Sequence, residues 1–304
     1  MNASVLEKRW QAGKPVILDG AMGTELQRRG VETRLPLWSS WALLEAPETV
    51  QAIHREYLEA GADIITTNTF RTHRRSLAEE GMGGRAKELT RIAVELAQSA
   101  REEASAAALV AGSIAPLEDC YHPERVPPMD RLKEEHAEIA DNLAAAGADL
   151  LLVETMGTLE EVDAATGAAR RTGLPVMVSV IPVEGAKLIG GQPLDEVWGL
   201  FEQQPPVAFM VNCANHRVIT EALEHLSRAE TPIPLGGYAN MGTPEDEKGW
   251  SFTHEVSPRD YAGKVMEWVR LGARVVGGCC GTTPAHIREL ARVLREGAGN
   301  RGSV

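Results

Sequence analysis

Ala60-Gly61-Ala62-Asp63-Ile64-Ile65-Thr66-Thr67-Asn68-Thr69-Phe70 holds the pattern that decides the fold. It starts at the end of Pro47 to Ala60, a stretch whose apolar residues recur every three or four positions, as a helix face requires. Gly61 suits a helix end, because glycine takes the left-handed conformation without steric cost. A short apolar run then passes into polar, turn-forming residues. The joint recurs as Ala146-Gly147-Ala148-Asp149 and as Leu271-Gly272-Ala273-Arg274. Eight apolar runs read as strands: Val16 to Asp19, Ile64 to Asn68, Leu109 to Gly112, Leu150 to Glu154, Val176 to Ile181, Ala208 to Cys213, Pro234 to Gly237 and Val275 to Cys279. Unbroken apolar runs mark strands covered on both faces. Arg85 to Ala104, Arg131 to Ala146 and Leu159 to Arg171 supply further amphipathic helices. The alternation predicts an α/β protein, a single-domain (β/α)8 TIM barrel over residues 1–304, with a doubly wound open sheet as the alternative.

Composition narrows the function classes. The chain has 304 residues, 31 Lys and Arg against 43 Asp and Glu, and a formal net charge of -12. This balance argues against nucleic acid as the main partner, because phosphate binding needs clustered Lys and Arg. No apolar run approaches the roughly 18–20 residues of a bilayer span. Met1 to Trp10 lacks the apolar core of a signal peptide. A soluble, cytoplasmic protein without membrane attachment is expected. Four cysteines are too few for a disulfide scaffold and are expected as thiols. Met241 to Ser257 reads as a long loop of the kind that binds ligands, and Arg295 to Val304 as a small polar tail.

In such a barrel the C-terminal ends of the strands carry the chemistry. These ends are polar here: Asp19-Gly20-Ala21-Met22, Thr66-Thr67-Asn68, Gly112-Ser113 and Glu154-Thr155. Solvated turns account for Asp, Asn and Gly. They do not account for Cys213, or for the doublet Cys279-Cys280. Three thiols at two strand ends could surround one zinc ion and leave its fourth tetrahedral position open, as catalytic zinc sites do. Adjacent strand residues face opposite ways, so both Cys279 and Cys280 reach one ion only where the chain leaves regular geometry. Gly277, Gly278 and Gly281 permit that departure. Buried structural cysteines, or a vicinal disulfide, are the alternatives. Cys120 is read as structural, and His216 as the start of the next helix.

Five phrases together resemble the homocysteine S-methyltransferase family. They are Leu18-Asp19-Gly20-Ala21-Met22-Gly23-Thr24-Glu25-Leu26, Ala62 to Phe70, Val153-Glu154-Thr155-Met156, Val211-Asn212-Cys213 and Gly277-Gly278-Cys279-Cys280-Gly281-Thr282-Thr283-Pro284. They span nearly the whole chain in the family's order. The family includes the homocysteine module of cobalamin-dependent methionine synthase, betaine–homocysteine methyltransferase and S-methylmethionine-using enzymes. The resemblance implies Zn2+ on Cys213, Cys279 and Cys280. It implies that Asp19 and Glu154 line the homocysteine pocket and take the substrate's ammonium group; read alone, each could be a solvated carboxylate or a helix cap. The backbone N–H groups of Gly20, Ala21 and Met22 would suit the α-carboxylate, since glycine lets a ligand come close. Ser113 and Asn212 are further candidates of this kind.

A sulfonium or ammonium donor needs a cation pocket, usually of aromatic faces. Trp38, Trp41, Phe70, Tyr238, Trp250 and Phe252 are the rings available. Pro36-Leu37-Trp38-Ser39 resembles the phrase of the S-methylmethionine and betaine branches. Arg71 stands where the betaine enzymes have an aromatic choline-binding residue, and its charge disfavours a quaternary ammonium. Trp38, Phe70 and Arg71 are the expected donor-binding residues. The implied activity is zinc-dependent transfer of a methyl group from a small, S-methylmethionine-like sulfonium to the thiol of homocysteine, giving methionine. The partners are these two small molecules. Alternatives keep fold and zinc with another thiol or selenol acceptor or a corrinoid donor, or make the chain a zinc-storage or thiol redox-sensing barrel.

Overall fold

The computed structural model describes residues 4–229, 231–241, 243–245, 249–251 and 256–299. Each of the eight apolar runs forms a strand: β1 (Val16–Ile17), β2 (Ile64–Thr66), β3 (Leu109–Ile114), β4 (Leu150–Met156), β5 (Val176–Val180), β6 (Ala208–Asn215), β7 (Leu235–Asn240) and β8 (Val275–Val276). A helix follows each one: α1 (Pro47–Ala60), α2 (Ala86–Glu103), α3 (Met129–Ala145), α4 (Leu159–Arg171), α5 (Glu196–Gly199), α6 (His216–Leu226), α7 (Pro258–Arg270) and α8 (Pro284–Gly299). Gly61, Gly147 and Gly272 take the expected left-handed conformation, with φ of 107°, 89° and 103°.

The strands pair in parallel, from β1 through β8, β7, β6, β5, β4 and β3 to β2. The ring closes where Leu18 bridges Ile64. There the Asp19 N–H donates to the Ile64 carbonyl at 3.0 Å, and the Asp63 N–H to the Ile17 carbonyl at 2.7 Å. A closed (β/α)8 barrel results, and the open sheet is excluded.

Alternation along each strand sorts the core into two layers. Leu18, Ile64, Ala111, Leu152, Met177 and Met210 share the inner cluster. Ile17, Ile65, Val110, Leu151, Val178 and Val211 join the outer one, against the helices. Both faces are therefore apolar, which is why the strands read as unbroken hydrophobic runs. Leu6, on the N-terminal helix Ser4–Gln11, completes the inner cluster. Asp63 and Asp149, from the repeated joint, reach across to the neighbouring strand. They accept from the N–H groups of Ile17 at 2.9 Å and Val110 at 2.8 Å.

Two expectations change. The segment read as a tail from Arg295 is helical as far as Gly299, and residues 300–304 lie outside the described residues. Within the segment read as a loop, Thr243–Glu245 pairs antiparallel with Gly249–Ser251. Residues 242, 246–248 and 252–255 of that segment, Phe252 included, and the side chain of Trp250 lie outside the described residues.

Candidate active site

Regular structure in β8 stops at Val276, so Cys279 and Cys280 lie on a turn and not on the strand itself. Three hydrogen bonds fix the turn. Gly278 N–H donates to the Asp19 carbonyl at 3.0 Å, Cys279 N–H to the Ala239 carbonyl at 3.1 Å, and Met241 N–H to the Cys280 carbonyl at 2.8 Å. Only Gly281 uses positive φ, 88°. Gly277 and Gly278 are needed for another reason than the one expected. A Cβ on Gly277 would sit 2.6 Å from the Leu18 Cβ, and one on Gly278 would collide with Thr282. Cys213 sits in an irregular part of β6, between Asn212 and Asn215, with φ of 58°. The three Sγ atoms lie within 4.8 Å of one another, and those of Cys279 and Cys213 are 3.5 Å apart. The Cys279 thiol donates to the Cys213 sulfur, and the two neighbouring thiols hold the Cys213 pKa well below the usual range while theirs are pushed well up. His216 is the first residue of α6, as read, behind the Asn215 cap.

Strand alternation also builds the second part of the site. Thr66, Ser113, Glu154, Asn212 and Tyr238 lie two residues beyond Ile64, Ala111, Leu152, Met210 and Gly236, and form a polar rung above the apolar interior. Glu154 accepts from Ser113 Oγ at 2.5 Å and from the Tyr238 hydroxyl at 3.1 Å. Asp19 accepts from the Thr66 N–H at 2.7 Å and from Thr66 Oγ1 at 3.0 Å. Burial raises Glu154 to about 7 and Asp19 to about 8, each against the pull of its hydrogen bonds. Asn212 departs from expectation. Its side chain is fully buried, accepts from Ser179 Oγ at 2.7 Å and donates to Thr155 Oγ1 at 2.9 Å, so it braces the rung and is not part of the cavity wall. The Ala21 N–H is also engaged, by Thr282 Oγ1 at 3.2 Å.

The cysteines and the two carboxylates face one cavity of about 380 Å3, within the range of small-ligand sites. Gly20, Ala21, Met22 and Ser113 line it, as do Trp38, Phe70 and Arg71. Trp38 is half-buried and lies against Gly23. The Arg71 guanidinium is 5.3 Å from the Phe70 ring centre. Trp41 instead packs under Arg34. Sequence reasoning missed Cys120, Tyr121 and Asp119, which also line the cavity. The Tyr121 hydroxyl lies 3.4 Å from Cys213 Sγ and accepts from Asn240 at 3.4 Å. No periodicity marks these residues, because they sit on the irregular connection after β3.

The model described as homocysteine S-methyltransferase matches residues 16–294. This chain belongs to the homocysteine S-methyltransferase family. The homocysteine S-methyltransferase of Escherichia coli K12 is 34% identical to it, over 90% of this chain and 94% of that one. Homocysteine S-methyltransferase 2 of Zea mays is 32% identical, over 95% and 93%. The homocysteine methyltransferase MmuM of Escherichia coli, in its metallated form, superposes with a TM-score of 0.82 at 31% identity, covering 95% of this chain and 98% of that one. As a member of this family the chain is a methyltransferase, and the storage and redox-sensing readings fall away. Among the described residues no helix is long and apolar enough to cross a membrane.

Proposed function

We propose that this methyltransferase moves a methyl group from a small sulfonium donor, of the S-methylmethionine kind, to the thiol of homocysteine, with zinc held by Cys213, Cys279 and Cys280. The single observation that carries this reading is the meeting of three sulfurs and two carboxylates on one cavity. All three ligand atoms are thiols within 4.8 Å of one another, a donor set that would suit zinc. Bound there, zinc would take a substrate thiol into its open position and favour the thiolate.

The chain's own residues do the rest. Glu154 and Asp19 hold the acceptor's ammonium group, and Ser113 and Tyr238 hold Glu154 in place. The aromatic faces of Trp38 and Phe70 receive the sulfonium. Alignment of the two substrates replaces a chance encounter. As the new carbon–sulfur bond forms, the old one breaks. Its electron pair stays on the departing sulfur, which leaves as a neutral thioether.

Purified protein incubated with homocysteine and S-methylmethionine is expected to yield methionine, read by mass spectrometry, and with betaine little or none. Metal analysis is expected to find about one zinc per chain. Cys280→Ala should lose most of that zinc and its activity while keeping its circular dichroism spectrum. Full zinc in this variant would remove Cys280 from the metal site. Robust turnover with betaine would overturn the donor assignment.

A further inference from the structure

Asp19 and Glu154 are one acidic cluster, and homocysteine brings one ammonium group. The cavity holds a second set of charges apart from that cluster. Arg71 lies five residues beyond Thr66, the last residue of β2, and Asp119 five beyond Ile114, the last of β3. Both stand on loops above the polar rung, and both line the cavity. Arg71 is the only Lys or Arg among the described residues of its wall. The side chain is 8% exposed, and one of its five N–H groups donates to the Glu118 carbonyl at 3.1 Å. Asp119 follows Glu118, and one of its oxygens accepts from the Tyr121 N–H at 3.0 Å. Neither charge is ion-paired within the described residues. A buried guanidinium with donors to spare and a carboxylate with a free oxygen, on the wall of one cavity, match the two ends of an α-amino acid.

We propose that Arg71 and Asp119 are the specificity-determining residues for the methyl donor. Arg71 binds the donor's α-carboxylate, and Asp119 its α-ammonium. The sulfonium then lies toward Phe70 and Trp38, with its methyl group directed at the acceptor thiol. This rests on the sulfonium-donor reading above. It adds that the amino-acid end of the donor, and not the cation alone, is what the enzyme selects.

Three donors with the same dimethylsulfonium end test it: S-methylmethionine, its decarboxylated analogue (3-aminopropyl)dimethylsulfonium, and its deaminated analogue 4-(dimethylsulfonio)butanoate. The wild-type holoenzyme should favour S-methylmethionine in kcat/KM by about 10-fold or more over each analogue, the scale of a charged hydrogen bond. Arg71→Gln should lose a similar factor with S-methylmethionine and the deaminated donor, and leave the decarboxylated donor unchanged. Asp119→Asn should show the reverse selectivity. Arg71→Lys should keep part of the preference for a carboxylate, as the charge remains. The KM for homocysteine should stay constant in all three variants. Equal losses with every donor, or a rise in the homocysteine KM, would overturn the assignment while leaving the proposed function standing. No transfer from any of the three sulfoniums to wild-type enzyme would overturn both.

Discussion

Glu154 is the residue on which the proposed acceptor pocket depends, and its chemistry follows from its position. Two steps beyond Leu152, it points inward on the barrel's inner face, where water is scarce. Burial raises its pKa to about 7, even though Ser113 and Tyr238 favour the carboxylate. Only the charged form attracts an ammonium group, so homocysteine affinity should rise as pH increases through about 7, and again through about 8 as Asp19 ionises. In the free protein the sign is opposite. The folded state keeps a proton that the unfolded chain has released, so this group lowers stability as pH rises from 4.5 toward 7. Glu154→Gln should weaken homocysteine binding by roughly 1.5–3 kcal/mol at pH 8 and remove the lower inflection, with zinc unchanged. Titration calorimetry across pH 6–9 would check both, and an inflection near 7 that survives the substitution would assign it to another group. Glu154 was legible through the family phrase Val153-Glu154-Thr155-Met156 at a strand end, and strand parity is the local rule that turns it inward. Asn212, on the same rung, was not, because Ser179 and Thr155 meet its side chain from strands far away in sequence.

At the scale of the element, the turn after β8 decides whether two adjacent cysteines can face one ion. Thr282 is its hub. Its hydroxyl donates to the Cys279 carbonyl at 2.7 Å and accepts from the Ala21 N–H at 3.2 Å, tying the turn to the loop after β1. Gly278 exists to let Thr282 come this close. Gly278→Ala should push the turn outward and weaken zinc by roughly 10-fold or more, as changes just behind metal ligands do, while the strands keep their pairing. A competition titration with a chelator measures it, and wild-type affinity would show that the turn has slack. The glycines were legible as a break in regular geometry. Their purpose was not, since close approach of a residue from another part of the fold leaves no mark on the local pattern.

For the whole molecule, stability and chemistry occupy opposite ends of the barrel. Asp63 closes the ring at the end away from the cavity. It accepts from the Ile17 N–H at 2.9 Å and pairs with Arg9 at 2.7 Å. Asp63→Ala would leave a strand N–H without its partner, and should destabilise the fold by roughly 1–3 kcal/mol. Zinc content and the homocysteine KM of the folded fraction should not change. Urea denaturation and steady-state kinetics give the two numbers, and a change in KM without loss of stability would contradict this separation. The eight strands, the glycine-bearing helix-to-strand joints and the three cysteines were legible in the chain alone. Each follows from a short-range period or from a residue type that a turn does not explain. That the sulfurs converge, that Asn212 is covered, and that Cys120, Tyr121 and Asp119 line the same cavity as Arg71 came from the folded chain. These depend on how loops from different strands pack over the barrel mouth, and a one-dimensional pattern does not carry that distance.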